Sequence, residues 1–268
     1  MSVADETPVE RSYGGYLRID ELLSLQDPLS QPEEHDELLF IIIHQVYELW
    51  FKEVLHELDQ LVEHLDDDRP VLSGHQLKRV LKILRTLIAQ LDVLETMTPL
   101  EFDSFRSFLA NASGFQSAQF REIEFLLGQK AHHHLVRFVN NEREYANLTR
   151  RYEEPSLWDA FVRYVSRQGY DIPQDFLERD VTGAVGYSAG VQQALLDIYR
   201  NDAELSRLCE SLTDLDEGLQ EWRYRHVMMV QRTIGSKIGT GGSSGVEYLR
   251  STLFRPAFPD LWAIRSAL

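Results

Sequence analysis

A single cysteine, Cys209, is all the thiol this chain has, so it can close no internal disulfide and build no cysteine-based zinc cluster. Basic residues are also in short supply: 27 lysines and arginines face 43 aspartates and glutamates, a formal net charge of −16. A surface of that sign repels phosphate backbones and anionic lipid, so neither nucleic acid nor membrane is expected as a partner. Long apolar runs are missing too. The longest, Leu38 to Ile43, falls far short of the roughly 20 residues a spanning helix needs. The first dozen residues are polar and acidic with no apolar signal core, which makes the cytoplasm the expected location. There is no Pro-rich linker, no low-complexity stretch and almost no alternating strand pattern.

What the chain does have is helical periodicity. Phe40, His44, Tyr47, Phe51, Val54, Leu58, Leu61 and Leu65 step by three and four, predicting one long helix from about His35 to Leu65. The acidic turn Asp66 to Pro70 ends it, and a second helix is expected from Ser73, as N-cap, to Glu95. Thr98 and Pro99 open a shorter helix to Leu109, and Asn111 to Gly114 breaks the chain before another from about Gln116 to Leu127. Leu205, Leu208, Leu212, Leu215, Leu219, Trp222, His226, Met229 and Thr233 form a heptad-like seam, so a second long helix should pack lengthwise against others. The expected fold is all-α: a bundle of long antiparallel helices, with residues 1–12 as a flexible tail and 13–268 as a single domain.

Nine histidines need sorting. His132, His133 and His134 are consecutive, and helical neighbours point about 100° apart, so they cannot converge on one ion from a helix; a solvated polar turn is expected. His56, His64 and His75 sit among charged residues and read as surface positions. His44 and His226 differ, because each lies on the apolar seam of a long helix among bulky side chains. Either is compatible with a satisfied core imidazole. Two of them facing one bundle interior are also what holds a haem.

Two further features carry alternatives. Gly239 to Gly245, with four glycines in seven residues, is neither a Walker loop nor a dinucleotide fingerprint. It is either a flexible linker or a loop whose amides and hydroxyls close over a small polar ligand. Arg106 shares a helix face with Phe102. It either snorkels over apolar surface or grips a carboxylate bidentately.

Taken together, the segments resemble one family. The stretch from His35 through His44 to Trp50 and Lys52 is similar to the first signature of the tryptophan 2,3-dioxygenases. Phe105-Arg106 with Ser113-Gly-Phe-Gln-Ser117 is similar to the second. Arg225-His226 with Ile234-Gly-Ser-Lys237 and Gly239 to Gly245 is similar to the third, and Tyr13-Gly-Gly-Tyr16-Leu17 matches the N-terminal pattern. The resemblance implies haem b (heme), active as ferrous iron, with His226 as proximal ligand and O2 as co-substrate. It places His44 distally beside the indole N–H, Phe40 and Phe102 as walls of the indole site, and Arg106 and Thr240 on the amino-acid head of L-tryptophan. It implies a homotetramer in which Tyr13, Tyr16 and Leu17 enter a neighbour's active site. The implied reaction inserts dioxygen across the indole C2–C3 bond to give N-formylkynurenine, the first step of tryptophan catabolism by the kynurenine route. Phe102 stands where some members carry tyrosine, and Ala118 replaces a commoner leucine. A related haem monooxygenase acting on another indole, and a non-catalytic haem-binding or sensing protein, are the rival readings; the carboxylate clamp argues against both.

Overall fold

The computed structural model describes residues 12–237 and 245–268. Among them there are helices and turns but no strand. The α-helices are α1 (Tyr13–Leu17), α2 (Ile19–Leu22), α3 (His35–Asp66), α4 (Pro70–Leu94), α5 (Pro99–Arg106), α6 (Ala118–Leu126) and α7 (Glu142–Glu153). They continue with α8 (Leu157–Arg167), α9 (Gln174–Leu177), α10 (Ala189–Asn201), α11 (Ala203–Ile234), α12 (Val246–Ser251) and α13 (Pro259–Ala263). Single 3₁₀ turns lie at Ser107–Leu109 and Gly114–Gln116, and a longer 3₁₀ segment runs His132–Phe138.

The three long helices α3, α4 and α11 form the frame. The Tyr47 hydroxyl donates to the Leu87 carbonyl at 2.7 Å, and Arg79 pairs with Glu57, so α3 and α4 are antiparallel. Gly218 of α11 abuts Leu84, and Arg225 pairs with Asp92 at 2.6 Å, so α4 and α11 run the same way. The expectation of antiparallel long helices therefore holds for α3 against each of the others and fails for α4 against α11. The reason is connectivity: residues 95–202 carry the chain back to the starting end before α11 begins.

The predicted stripe and seam become the core. Leu58, Leu61 and Leu77 are fully buried, Leu65, Leu91 and Leu212 nearly so, and one apolar cluster extends from Ile43 to Ile264. Asp216, 1% exposed on α11, anchors the C-terminal segment by accepting hydrogen bonds from the Ala257 and Phe258 amides and the Trp262 indole. A carboxylate buried this deeply is tolerable only because its lone pairs are so well occupied.

Several boundaries move. α4 begins at Pro70, not after Ser73, because proline at the first helical position needs no amide partner. Ser73 is buried one turn in and donates its hydroxyl to the Arg69 carbonyl. Thr98 does cap α5, in a reciprocal box with Glu101. The helix then tightens to 3₁₀ after Arg106, and the next begins two residues later than expected, capped by Ser117. Ser12, assigned to the tail, caps α1 instead, accepting from the Gly15 amide. The rest of that tail lies outside the described residues.

Replacing Leu61 with alanine should lower unfolding free energy by about 2–5 kcal/mol, the cost of an unfilled methyl-lined void. Urea denaturation followed by circular dichroism measures it; a loss below about 1 kcal/mol would show that the α3 core relaxes into the space.

Candidate functional site

At the end of the frame bearing His44 and His226, α3 and α11 enclose a cavity instead of closing on one another. It holds about 1650 Å³ of empty space, mouth included. α5, α6 and α12 complete its walls: Phe40, His44, Tyr47 and Phe51 come from α3, Phe102 and Arg106 from α5, Phe120 and Arg121 from α6, Trp222, Arg223 and His226 from α11, and Tyr248 and Leu249 from α12.

His44 has a fixed tautomer. Its Nδ1 lies 2.7 Å from the Phe40 carbonyl, one helical turn back. A carbonyl can only accept, so Nδ1 carries the proton and Nε2 remains an acceptor. Burial lowers the imidazole pKa and keeps it neutral. Phe40 sits against this ring at 4.1 Å and against Phe102 at 5.7 Å, forming an aromatic wall.

His226 is held differently. Its ring stacks on Trp222 with centroids 5.2 Å apart and planes nearly parallel at 5°. Burial, with a smaller contribution from His44, pushes its pKa down to about 4, so it too is neutral. No described residue hydrogen-bonds to its ring. A neutral imidazole with an uncommitted ring nitrogen, in an aromatic cavity opposite a second imidazole, is the donor that an iron porphyrin takes as an axial ligand. The residues present therefore fit haem. Among the described residues no three histidine, cysteine or carboxylate side chains converge as a metal-binding group.

A cationic floor went unread in the sequence. Glu124, 6% exposed, accepts from Arg121 and from Arg223, the latter at 2.6 Å; the two arginines are 7% and 5% exposed. Arg223 also donates to the Gln129 amide oxygen at 2.6 Å, and the Arg121 guanidinium lies 3.3 Å from Nε2 of His134. Two guanidiniums against one carboxylate leave net positive charge on the cavity wall. One signal was legible: Arg121 and Glu124 interrupt the apolar run of α6 on its buried side.

The expectation of a solvated turn at His132 to His134 is wrong for His134, which is 8% exposed. The three-residue period of the 3₁₀ segment turns Leu135 and Phe138 inward together, while His134 is buried by its own partners, the Arg121 guanidinium at 3.3 Å and the Phe125 ring at 6.4 Å. His56 and His75 are exposed as expected, whereas His64 is half-buried.

Of the residues singled out in the sequence, Phe40, His44, Phe102, Arg106 and His226 meet in this one cavity. Thr240 lies outside the described residues. Tyr13, Tyr16 and Leu17 do not reach the cavity of their own chain; they stand on α1, with the tyrosines 79% and 68% exposed.

Fold and site thus define, among the described residues, an all-helical protein with an aromatic pocket lined by two imidazoles and three arginines. A family model described as tryptophan 2,3-dioxygenase matches residues 3–154 and 186–268, leaving out the stretch with α8 and α9. A tryptophan 2,3-dioxygenase of Herpetosiphon aurantiacus is 56% identical over 260 residues, covering 96% of this chain and 98% of the relative. One from Anaeromyxobacter sp. is 54% identical over 257 residues, with 96% of each chain covered, and one from Kineococcus radiotolerans is 48% identical over 263 residues, with 97% and 92% covered. The chain belongs to the tryptophan 2,3-dioxygenase family.

The buried floor has a pH signature. Burial and then the neighbouring Arg121 charge push His134 from 6.5 down to about 3. In acid the unfolded chain protonates this imidazole and the native state does not, so native stability falls as pH drops from 6.5 toward about 3, then levels off. His134→Gln retains an acceptor for Arg121 and removes the titration. Its stability should decline less steeply between about pH 7 and 4 than that of the wild type, measured by denaturant melts. Identical slopes would mean that His134 is proton-accessible in the native state.

Proposed function

We propose that this chain is a haem-dependent dioxygenase that opens the indole ring of L-tryptophan, inserting both atoms of O2 across C2–C3 to give N-formylkynurenine. The observation that carries the reading is the pair of neutral imidazoles on antiparallel helices facing one cavity that Arg106 also lines. His226 would hold the iron of haem b, with Trp222 fixing the ring plane, and Arg121 and Arg223 would take the porphyrin's acidic side chains. Haem, when bound in the ferrous state, supplies the activation of dioxygen.

The protein's own residues do the rest. Arg106 grips the substrate carboxylate, with Thr240 as second contact to the amino-acid head. Phe40 and Phe102 wall the indole. Nε2 of His44, the acceptor left by its tautomer, takes the indole N–H and sets the orientation of the ring. Positioning of this kind removes about 7 kcal/mol or more of an encounter barrier when well aligned. The apolar, aromatic lining excludes water from the reacting carbons.

Residues 13–268 act as a single domain, and the protein works in the cytoplasm as a homotetramer. The exposed Tyr13, Tyr16 and Leu17 complete an adjacent subunit's pocket, a reading supported by the large apolar area that α1 and its neighbours Leu23, Leu25 and Leu29 leave uncovered.

Aerobic incubation of the reduced, haem-loaded protein with L-tryptophan should yield a product heavier by two oxygens by mass spectrometry; addition of one oxygen would assign a monooxygenase instead. Arg106→Leu should weaken tryptophan binding roughly ten- to a hundredfold, the worth of a charged hydrogen bond to a carboxylate. Unchanged affinity would remove Arg106 from the clamp. His226→Ala should abolish the axially ligated ferrous spectrum, and an unaltered spectrum would place the ligand elsewhere.

A further inference from the structure

α5 carries an acid three residues before Arg106. Residues three apart on a helix are surface neighbours, and an aspartate three positions ahead of an arginine is well placed to pair with it. Such a pair would draw the guanidinium along its own helix and away from the cavity. The structure shows Asp103 engaged elsewhere: Nζ of Lys237 lies 2.8 Å from its Oδ1. Asp103 is held below the usual carboxylate range by the Lys237 hydrogen bond first and its charge second, with the Arg106 charge also felt.

Lys237 is brought there by the way α11 ends. Gly235 turns the chain at φ +59°, ψ −129°, a conformation suited to glycine, and its amide closes on the Gln231 carbonyl at 2.9 Å. The Lys237 amide then bonds back to Ile234 at 3.1 Å, so the side chain leaves the end of α11 toward α5. α5 is pressed on the frame through Phe105, fully buried against Phe40 and Phe102, which fixes where Asp103 stands.

We propose that Lys237 is a positioning residue for substrate binding: by occupying Asp103 it keeps that carboxylate from pairing with Arg106, so that Arg106 faces the cavity and its amino-acid carboxylate. The inference rests on the reading of Arg106 as the carboxylate clamp. It differs from a simple latch between α5 and α11, in which the ion pair matters for its own strength. An exposed pair contributes little to stability. Here the cost of losing Lys237 is the competing partner it releases.

The two ideas separate in a double-mutant cycle on the haem-loaded enzyme. Lys237→Met should raise KM for tryptophan about two- to fivefold, the range open to an exposed ion pair, with kcat, haem spectrum and melting temperature unchanged. Asp103→Asn should leave KM no higher than wild type, because it removes the competitor along with the pair. The double variant should return to the wild-type KM. A latch predicts that all three variants are equally impaired, and that pattern, or an unchanged KM in Lys237→Met, would overturn the proposal. Arg106→Leu serves as the control. If it too leaves tryptophan affinity intact, the clamp reading itself has failed; if it weakens binding while Lys237→Met does not, only the positioning role is lost.

Discussion

The structure depends on three long helices that pack tightly along most of their length and part at one end. Where Leu58, Leu61, Leu77, Leu84 and Leu212 meet, α3, α4 and α11 are as close as side chains permit, and at Gly218 α11 approaches Leu84 so nearly that a β-carbon would have to displace it. Toward His44 and His226 the same helices hold a large aromatic-lined space. A pocket of this kind keeps its shape only on a frame that resists deformation, as a close-packed interior does. The packed section supplies that stiffness.

The cavity's polar groups obey a second constraint: a charge removed from water must be met by another. Glu124 stands between Arg121 and Arg223, and Arg223 continues to Gln129, whose amide donates to the Arg255 carbonyl beyond α12. Arg223 reaches the same segment through the Thr252 carbonyl at 3.4 Å. A buried ionic cluster of this kind adds little net stability over an apolar equivalent, while loss of one member costs several kcal/mol. Its consequence is placement. One network ties α6, α11 and the segment after α12 to the same wall, so the floor and the side of the pocket keep a common geometry. The imidazoles follow the same logic in neutral form, one committed through Nδ1 to a helix carbonyl and the other stacked on an indole.

Much of this was visible in the order of residues. The three-four spacing that ends at Leu65 and the seam from Leu205 to Thr233 mark two of the three frame helices, α3 and α11, to within a residue or two, because burying one face over eight turns leaves a strong periodic pattern. His44, His226, Phe40, Phe102 and Arg106 stood out as unusual side chains on those faces or beside them. The misses were of another kind. Ser73 carried a good capping residue type, yet a proline three positions earlier was the better start. His134 looks solvated because its neighbours are histidines, and only its packing against Arg121 and Phe125 of α6 buries it. Arg121, Glu124 and Arg223 do not stand out in the sequence because charges on a helix are usually solvated, and the pairing of Glu124 with Arg223 spans residues about 100 apart in the chain.

The sequence alone determined the all-helical class, the span of the long helices α3 and α11 and the side chains available for chemistry, since each follows from periodicity and residue type, which are local. The tertiary structure decided direction and partnership: that α4 and α11 run parallel, that two imidazoles 182 positions apart face one space, that Glu124 divides itself between two arginines, and that Lys237 meets Asp103. These are relations between distant segments. They arise from how the chain returns on itself between α4 and α11, and no local pattern encodes that path.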